Sequence, residues 1–239
     1  MISSEKNSIL TYRFDKMKNI NGLIHFTTTR SGGVSLPPYD TFNLSYSTDD
    51  FHQSIVTNRE KLASFLSISV DKLIFPKQTH SNNIIMLDCA FFLKTDSEKE
   101  DYLNDTDALI TNERGVCICV LTADCVPVFL YDPAVPAVGV VHAGWRGTAG
   151  EIVKRTIKRM ESEYHCKAAN IIAGIGPSIS AEVYETGNDV ARIFIEMYGA
   201  NAGVVTVNAV SGKNHIDLWE ANRLQLINSG VMPGNIEVA

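Results

Sequence analysis

Short apolar runs recur through the middle of the chain and predict strands. Residues 116–121, 126–131 and 137–141 are such runs, and Val and Ile are frequent in them. Runs of this length that are rich in β-branched residues are typical of buried strands. The same pattern predicts further strands from Tyr12 and at residues 23–29, 72–76, 84–87, 107–111, 170–175, 204–207 and 216–218.

Apolar residues at helical spacing predict four helices. The clearest spans residues 149–164, where apolar side chains share one face and charged side chains the other. By contrast, the charged run within residues 89–105 favours a solvated loop. The remaining helices are predicted at residues 48–66 with Asp49 or Asp50 as the cap, at 183–197, and at 218–227 with Gly230 beyond its end.

The order of these elements predicts an α+β fold, a mixed α/β architecture of layered mixed β-sheets flanked by helices. Several strands follow one another without an intervening helix, so a regular βαβ alternation is absent. The glycine patterns GxGxxG and GxxxxGK[ST] are also missing, which argues against a dinucleotide-binding fold. No linker or internal repeat divides the chain, and we expect one domain over residues 1–239.

Charge and composition narrow the class of protein. The formal net charge of −6 argues against a nucleic-acid binder that neutralises phosphates. The first residues lack the apolar segment of a signal peptide, and no apolar stretch is long enough to span a membrane. Five cysteines at irregular spacings favour a reducing compartment, so we expect a cytoplasmic protein, with Cys117 and Cys119 as small buried residues of a strand.

Three residues with metal-binding side chains lie beside predicted strands. Cys125 lies between two apolar runs, His142 directly follows a third, and His80 precedes the run at 84–87. None belongs to a short knuckle such as CxxC, and catalytic zinc sites use three protein ligands plus water. A thiolate with two imidazoles suits zinc or copper better than magnesium or calcium. The sequence therefore predicts a metal site with an open position.

Polar neighbours suggest roles around this site. Asp124 is a candidate general base, Gln78 and Arg146 are candidates for substrate contact, and Arg146 precedes a predicted helix start that favours anions. The loop at residues 30–38 has paired glycines that would form an anion-binding nest beside Arg30, and Asn43 is a candidate for recognising a base or sugar. The same cysteine and histidines also support a Cys125 nucleophile with a histidine base.

Several phrases resemble the YfiH/laccase-domain family, which was once described as multicopper polyphenol oxidases and later as purine nucleoside phosphorylases. The similarity extends over nearly the whole chain, and the phrases LTADCVPV and VHAGWRGT are long and rare. The matching phrases are TTTRSGGVS at 27–35, FNLS at 42–45, KQTH at 77–80, DALIT at 107–111, LTADCVPV at 121–128, VHAGWRGT at 141–148, IGPSI at 175–179 and DLWEANRLQL at 217–226.

The resemblance implies a YfiH-like layered fold in which His80, Cys125 and His142 bind zinc, with copper as the second candidate. It implies phosphorolysis of adenosine, inosine or methylthioadenosine to a free base and ribose 1-phosphate, and deamination of adenosine. The partners would be purine nucleosides and phosphate, with Arg30 and Arg146 as candidate phosphate ligands. A homodimer is compatible with the sequence, which does not fix the oligomeric state.

The sequence departs from the family pattern in two places. Family members often carry two cysteines where this chain has Ala181 and Glu182, so those cysteines are not expected to act as ligands here. The family also continues beyond the final strand into an arginine-containing segment, and this sequence ends at Ala239 before it. We therefore expect the last family strand and its arginines to be absent from residues 1–239.

Three alternatives remain open from the residues. A cysteine hydrolase or amidase acting on cell-wall precursors would use Cys125 as its nucleophile. A copper polyphenol oxidase would need many more histidines than His80, His142 and His25. A metal-binding module without catalysis would bind its ion with no open position.

Overall fold

A six-stranded mixed sheet forms the centre of the protein, in the order β14-β10-β8-β9-β6-β5. The computed structural model describes residues 1–239. The strands are β1 Ile2–Lys6, β2 Ile9–Arg13, β3 Thr27–Thr28, β4 Leu73–Ile74, β5 Ile84–Leu87, β6 Ala108–Thr111, β7 Cys117–Ile118, β8 Val126–Asp132, β9 Ala137–Ala143, β10 Ile172–Ile175, β11 Glu185–Thr186, β12 Val205–Val207, β13 Asn214–Ile216 and β14 Ile236–Val238.

Seven α-helices accompany the strands. They are α1 His52–Leu66, α2 Cys89–Phe92, α3 Asp96–Tyr102, α4 Trp145–Ala149, α5 Ile152–Tyr164, α6 Asn188–Tyr198 and α7 Leu218–Asn228. None of them combines the length and the apolar character that crossing a bilayer requires.

The central sheet is antiparallel in its middle and parallel at its edges. Strands β10, β8, β9 and β6 pair antiparallel in turn, whereas β14 joins β10 and β5 joins β6 in parallel. Smaller sheets have the orders β1-β2-β3, β11-β13-β12 and β4-β7. The α+β prediction with layered mixed sheets is confirmed.

Both faces of the central sheet are covered, which explains its continuous apolar runs. On β6, Ala108 and Ile110 belong to the large core that α5 and α7 complete, while Leu109 points into a second core on the opposite face. On β9, Val141 belongs to the large core and Val140 to the second core. Since successive strand residues point to opposite faces, a strand that is covered on both faces must be apolar at every position.

Several predicted elements differ from the structure, and the strand predicted at 23–29 shortens to Thr27–Thr28. The predicted 149–164 helix is interrupted at Glu151, which has a left-handed φ of 58°, and the Asn82 amide donates to the Gly150 carbonyl at 3.1 Å beside the break. The predicted strand at 116–121 shortens to Cys117–Ile118, since its partner β4 offers only two paired residues. The charged segment 89–105 contains α2 and α3 rather than a loop alone, and Thr95 with Glu98 forms a capping box that the sequence carries.

Smaller differences concern helix starts. Neither Asp49 nor Asp50 caps α1, whose N-cap is Phe51 with no side-chain hydrogen bond. The helix predicted at 183–197 begins only at Asn188. Gly230 does follow the end of α7, with a positive φ of 96°, in agreement with its predicted place.

Candidate metal centre

The side chains of His80, Cys125 and His142 converge at one end of the central sheet. Their ligand atoms all lie within 4.8 Å of one another. Cys125 directly precedes β8, and His142 lies in β9 opposite Pro127 of β8. The register of this antiparallel pair continues to Cys125 and Gly144, which brings the cysteine beside the end of β9. His80 enters from the turn before β5 and makes an edge-on ring contact with His142 at 4.9 Å between centroids.

Gly144 allows this convergence. A Cβ atom on Gly144 would lie 2.9 Å from Cys125 Sγ and 3.1 Å from His80 Cδ2. Both separations are shorter than ordinary contacts between such atoms. Any side chain at this position would therefore push apart the cysteine and the histidine.

The buried carboxylate of Asp107 orients His142. The Nδ1 atom of His142 lies 2.6 Å from Asp107 Oδ1, and Asp107 is fully buried. A carboxylate accepts hydrogen bonds, so this contact assigns the Nδ1 proton to His142 and leaves Nε2 for a metal ion or for Cys125. The Cys125 sulfur lies within 4.8 Å of the His142 ring nitrogen that faces it.

Asp107 also holds the turn that carries His80. Its carboxylate accepts hydrogen bonds from the backbone N–H groups of Thr79 at 3.2 Å, His80 at 3.1 Å and Ser81 at 2.7 Å. The hydroxyl of Ser81 donates to it as well, at 2.8 Å. Successive N–H groups that point the same way form a nest for an anion, here supplied by the protein itself. One carboxylate thus positions both histidines of the cluster.

The backbone of His80 is held in a conformation that few residues adopt. Its φ is 62°, in the left-handed region. Histidine tolerates this region better than most side chains, at a cost of roughly 1–2 kcal/mol. The hydrogen bonds to Asp107 oppose that cost and aim the imidazole at Cys125 and His142.

The burial of this cluster changes how its groups bind protons. Burial would raise the pKa of Asp107, but hydrogen bonds from His142, Ser81 and Thr79 outweigh it and lower that pKa. For His142, burial would lower the pKa, yet the hydrogen bond to Asp107 and the neighbouring Cys125 raise it to about 9. Burial and the neighbouring charge of His142 lower the pKa of His80. Without a metal ion, His142 therefore binds a proton more strongly than His80 does.

The donor set of the cluster fits a metal ion. Tetrahedral zinc with two nitrogens and one sulfur places its ligands about 3.3–3.7 Å apart. The observed limit of 4.8 Å requires only a small contraction of the three side chains. A His–Cys–His cluster of this kind suits metal binding. His25 is not part of it, since its Nε2 accepts the backbone N–H of Phe14 at 2.9 Å.

Gln78 lies beside the cluster but its amide contacts the main chain. Its Nε2 donates to the carbonyl of Leu121 at 2.8 Å, and its Oε1 accepts the N–H of Leu121 at 2.7 Å. This paired contact ties the segment before His80 to the segment before Cys125.

Arg146 and Asp124 have exposed side chains near the cluster. The guanidinium of Arg146 lies 4.4 Å from the ring centre of Trp145, and its charge helps to lower the pKa of His80. Arg146 lies inside the short helix α4, which begins before the predicted start at 149. Asp124 contributes negative charge at Tyr184, whose pKa is raised first by burial and then by Cys125.

Arg30 and Asn43 are engaged within their own loop. Arg30 pairs with Asp40 at 2.8 Å and donates from Nε to the Asp40 carbonyl at 2.6 Å. Asn43 donates to Thr48 at 2.8 Å and to Asp50 at 3.0 Å. Neither residue belongs to the cluster formed by His80, Cys125 and His142.

The predicted anion nest in the glycine loop is wrong. The N–H groups of Gly33, Val34 and Ser35 already donate within the protein, to Thr41 and Asn58. Gly33 is needed for a close approach instead, because a Cβ there would lie 1.9 Å from the Thr41 carbonyl oxygen.

Sequence reasoning missed two residues near the metal cluster. Asp107 was interpreted only as the start of a buried strand, although a charged residue at such a position is itself a signal that it has polar partners. Tyr184 had no such signal. It is half-buried, and charges on Cys125, Asp124 and Arg146 all affect its pKa.

Comparison with known proteins assigns the chain to a family. A family model described as multi-copper polyphenol oxidoreductase laccase matches residues 24–239. The chain belongs to this family. The resemblance inferred from the sequence motifs is therefore confirmed.

Several family relatives carry functional names. A purine nucleoside phosphorylase of Bacteroides thetaiotaomicron is 37% identical over 227 residues, which cover 95% of this chain and 84% of that protein. Adenosine deaminase RL5, from an unknown prokaryotic organism, is 36% identical over 224 residues, covering 94% and 85%. The crystal structure of YlmD from Geobacillus stearothermophilus has a TM-score of 0.87 at 28% identity, covering 99% of this chain and 86% of that one.

Proposed function

We propose that this protein is a cytoplasmic, zinc-dependent purine nucleoside phosphorylase that also deaminates adenosine. The convergence of His80, Cys125 and His142 carries this proposal, because three protein ligands leave a coordination position for water or substrate. The names of the relatives from Bacteroides thetaiotaomicron and of RL5 supply the two reactions. The five free cysteines are consistent with a reducing compartment.

Zinc is the proposed ion because two imidazoles and a thiolate are ligands that it prefers. When bound, it would lower the pKa of a water molecule toward about 7 and polarise an oxygen of the substrate. Copper shares this ligand preference. Coupled copper oxidation, however, requires more histidines than this cluster brings together.

In phosphorolysis, an oxygen of phosphate forms a bond to C1′ of the ribose while the C1′–N9 bond breaks. The bonding electrons move into the purine ring, which takes up a proton and leaves as the free base. We assign Arg146 to the phosphate, since its guanidinium is exposed beside His80 and can bind two oxygens at once. Arg146 would both position the nucleophile and balance its charge.

In deamination, a water oxygen bonds to C6 of adenine and ammonia leaves. Asp124, exposed next to Cys125, is the proposed group that accepts the proton of the attacking water. Asp107 would keep the Nδ1 proton on His142 and hold the His80 turn. For Gln78, Arg30 and Asn43 we propose structural roles, because their polar atoms bind other groups of the protein.

The deciding experiment measures hypoxanthine release from inosine by zinc-loaded protein, with and without phosphate. We expect release that requires phosphate and falls below detection in Cys125→Ala. Cys89→Ala is the matched control, since Cys89 is exposed and outside the cluster. Fully zinc-loaded protein that converts neither inosine nor adenosine would overturn the proposal.

A second candidate is a hydrolase with Cys125 as its nucleophile. It is favoured by one observation, that Asp107 binds His142 and the Cys125 sulfur lies within 4.8 Å of His142. Such an arrangement activates a thiol in cysteine hydrolases. Activity that survives chelation, together with a covalent adduct on Cys125, would support this candidate. Loss of activity on chelation and recovery with zinc would exclude it.

A further inference from the structure

Two other cysteines lie together, one in β7 and one just beyond its end. The sulfur atoms of Cys117 and Cys119 are 3.6 Å apart, and they are the only cysteine sulfurs of the protein in contact with each other. Both residues are partly buried, and Cys117 packs against the core beneath α1, in partial agreement with the burial that the sequence predicted. Neither belongs to the metal cluster.

Linking these sulfurs requires the local backbone to bend. A disulfide brings its two Cβ atoms to about 3.8 Å, whereas residues two apart in an extended strand have Cα atoms about 6.6 Å apart. A disulfide formed in this way is strained and is reduced more easily than a relaxed one. Cys117 is paired with Leu73 of β4, and the N–H of Cys119 donates to the Ile74 carbonyl at 2.9 Å. The strand is therefore held by one short neighbour only.

The two thiols differ in reactivity. A hydrogen bond from Cys119 lowers the pKa of Cys117, whereas the same contact and burial raise the pKa of Cys119. The thiolate is the nucleophile in thiol–disulfide exchange. The Cys119 thiol also donates to the carbonyl of Cys117 at 3.6 Å, so we assign Cys117 as the attacking residue and Cys119 as the resolving one.

A single side chain connects this pair to the metal cluster. Leu121 lies two residues beyond Cys119, and its N–H and carbonyl groups are both bound by the Gln78 amide. Gln78 lies two residues before His80. Movement of β7 is therefore transmitted to the turn that presents a metal ligand.

We propose that Cys117 and Cys119 are a modification site, a reversible disulfide whose closure weakens metal binding through the Gln78–Leu121 contact. The effect on metal binding rests on the proposed function, whereas the formation of the disulfide does not. The oxidant is a low-molecular-weight disulfide, RSSR.

The reaction proceeds in two exchanges. The Cys117 thiolate attacks one sulfur of RSSR, the S–S bond breaks, and RS⁻ leaves and takes up a proton. Cys119 then loses its proton, and its sulfur attacks the sulfur of Cys117 and displaces the second RS⁻, which is protonated in turn. The two cysteines lose two electrons and two protons, and RSSR becomes two RSH.

The first test uses the zinc-loaded full chain and oxidised glutathione. Chymotryptic cleavage after Leu121 separates the pair from Cys125, and we expect the peptide with Cys117 and Cys119 to lose two hydrogens in mass. Dithiothreitol should restore the mass. A peptide that remains fully reduced, or a disulfide that involves Cys125, would overturn the inference.

Single variants test the assigned order of attack. In Cys119→Ser, glutathione should accumulate on Cys117, because no resolving thiol remains. In Cys117→Ser, we expect little adduct on Cys119. Adduct of equal amount in both variants would contradict the assignment of the nucleophile.

The coupling to the metal is measured as zinc affinity by competition with a chromophoric chelator. We expect about tenfold weaker binding in the oxidised protein, the size typical of a disturbed ligand support. The Cys117→Ser/Cys119→Ser double variant receives the same oxidant and reports any effect on Cys125. Equal loss of affinity in both proteins, or no loss in either, would overturn the coupling.

Discussion

The turn at residues 77–83 and the loop at 30–50 are both polar and both follow an apolar segment, yet they use their polar side chains differently. In the turn, backbone N–H groups donate to Asp107 of a distant segment, and the His80 imidazole points toward Cys125 and His142. In the loop, Arg30 and Asn43 bind groups of the same loop. Asn58 of α1 satisfies the loop backbone much as Asp107 satisfies that of the turn, so the difference lies in whether neighbouring residues already bind the polar side chain.

Removing the charge of Asp107 should have the largest effect on the turn. Asp107→Asn places an amide donor among groups that themselves donate, so both histidines lose their orientation. We expect zinc affinity to fall about 10–100-fold, measured by chelator competition. Asp50→Asn is the matched change in the loop, where Asp50 accepts from Asn43. An equal fall in affinity in Asp50→Asn would contradict the contrast between the two regions.

The pKa of His142 predicts how the stability of the metal-free protein varies with pH. The folded pKa of about 9 is above the unfolded value of 6.5. Protonation of His142 therefore stabilises the fold fully below pH 6.5, and this contribution is lost as the pH rises through about 9. The loss should reach at most about 3 kcal/mol.

Urea denaturation of metal-free protein between pH 6 and 9.5 measures this dependence, on a range of about three pH units that spans both pKa values. His142→Gln should flatten the profile, because the titrating group is gone. A wild-type profile that rises with pH over this range would show that His142 is not the group responsible.

The two arginines should differ in their effect on phosphate. Arg146→Ala removes an exposed guanidinium beside His80, and we expect KM for phosphate to rise about tenfold or more. Arg30→Ala breaks an exposed pair with Asp40, which contributes about 1 kcal/mol or less to stability. Steady-state kinetics with varied phosphate distinguish the two. A larger KM effect in Arg30→Ala would reverse the assignment.

Asn43 should show the smallest effect. Asn43→Ala removes hydrogen bonds to Thr48 and Asp50, and we expect a loss of about 1 kcal/mol in the free energy of unfolding. KM for the nucleoside should not change. A raised KM at unchanged stability would instead make Asn43 a substrate ligand.

The sequence predicted the three residues of the cluster better than it predicted the residues that hold them in place. Few roles other than metal binding or catalysis require a cysteine and two histidines beside strands, as at His80, Cys125 and His142. The buried strands around them also have strong apolar patterns. The role of Asp107 depends on partners about 27 residues earlier and 35 residues later, which no local pattern specifies. The short β7 likewise depends on the length of β4 rather than on its own residues.

Helix boundaries were least predictable where tertiary contacts decide them. The interruption between α4 and α5 lies at Glu151, beside a hydrogen bond from Asn82, which lies far away in sequence. In contrast, the start of α3 could have been predicted from Thr95 and Glu98, whose spacing is a local signal.

The hold of Asp107 on both histidines also bears on the speed of metal exchange. The ligands are ordered when the chain folds, so an arriving ion meets a backbone already in place. The slow event would then be the departure of the proton from His142, rather than a rearrangement of the chain. Association rates for zinc should accordingly increase with pH up to about 9 and then level off.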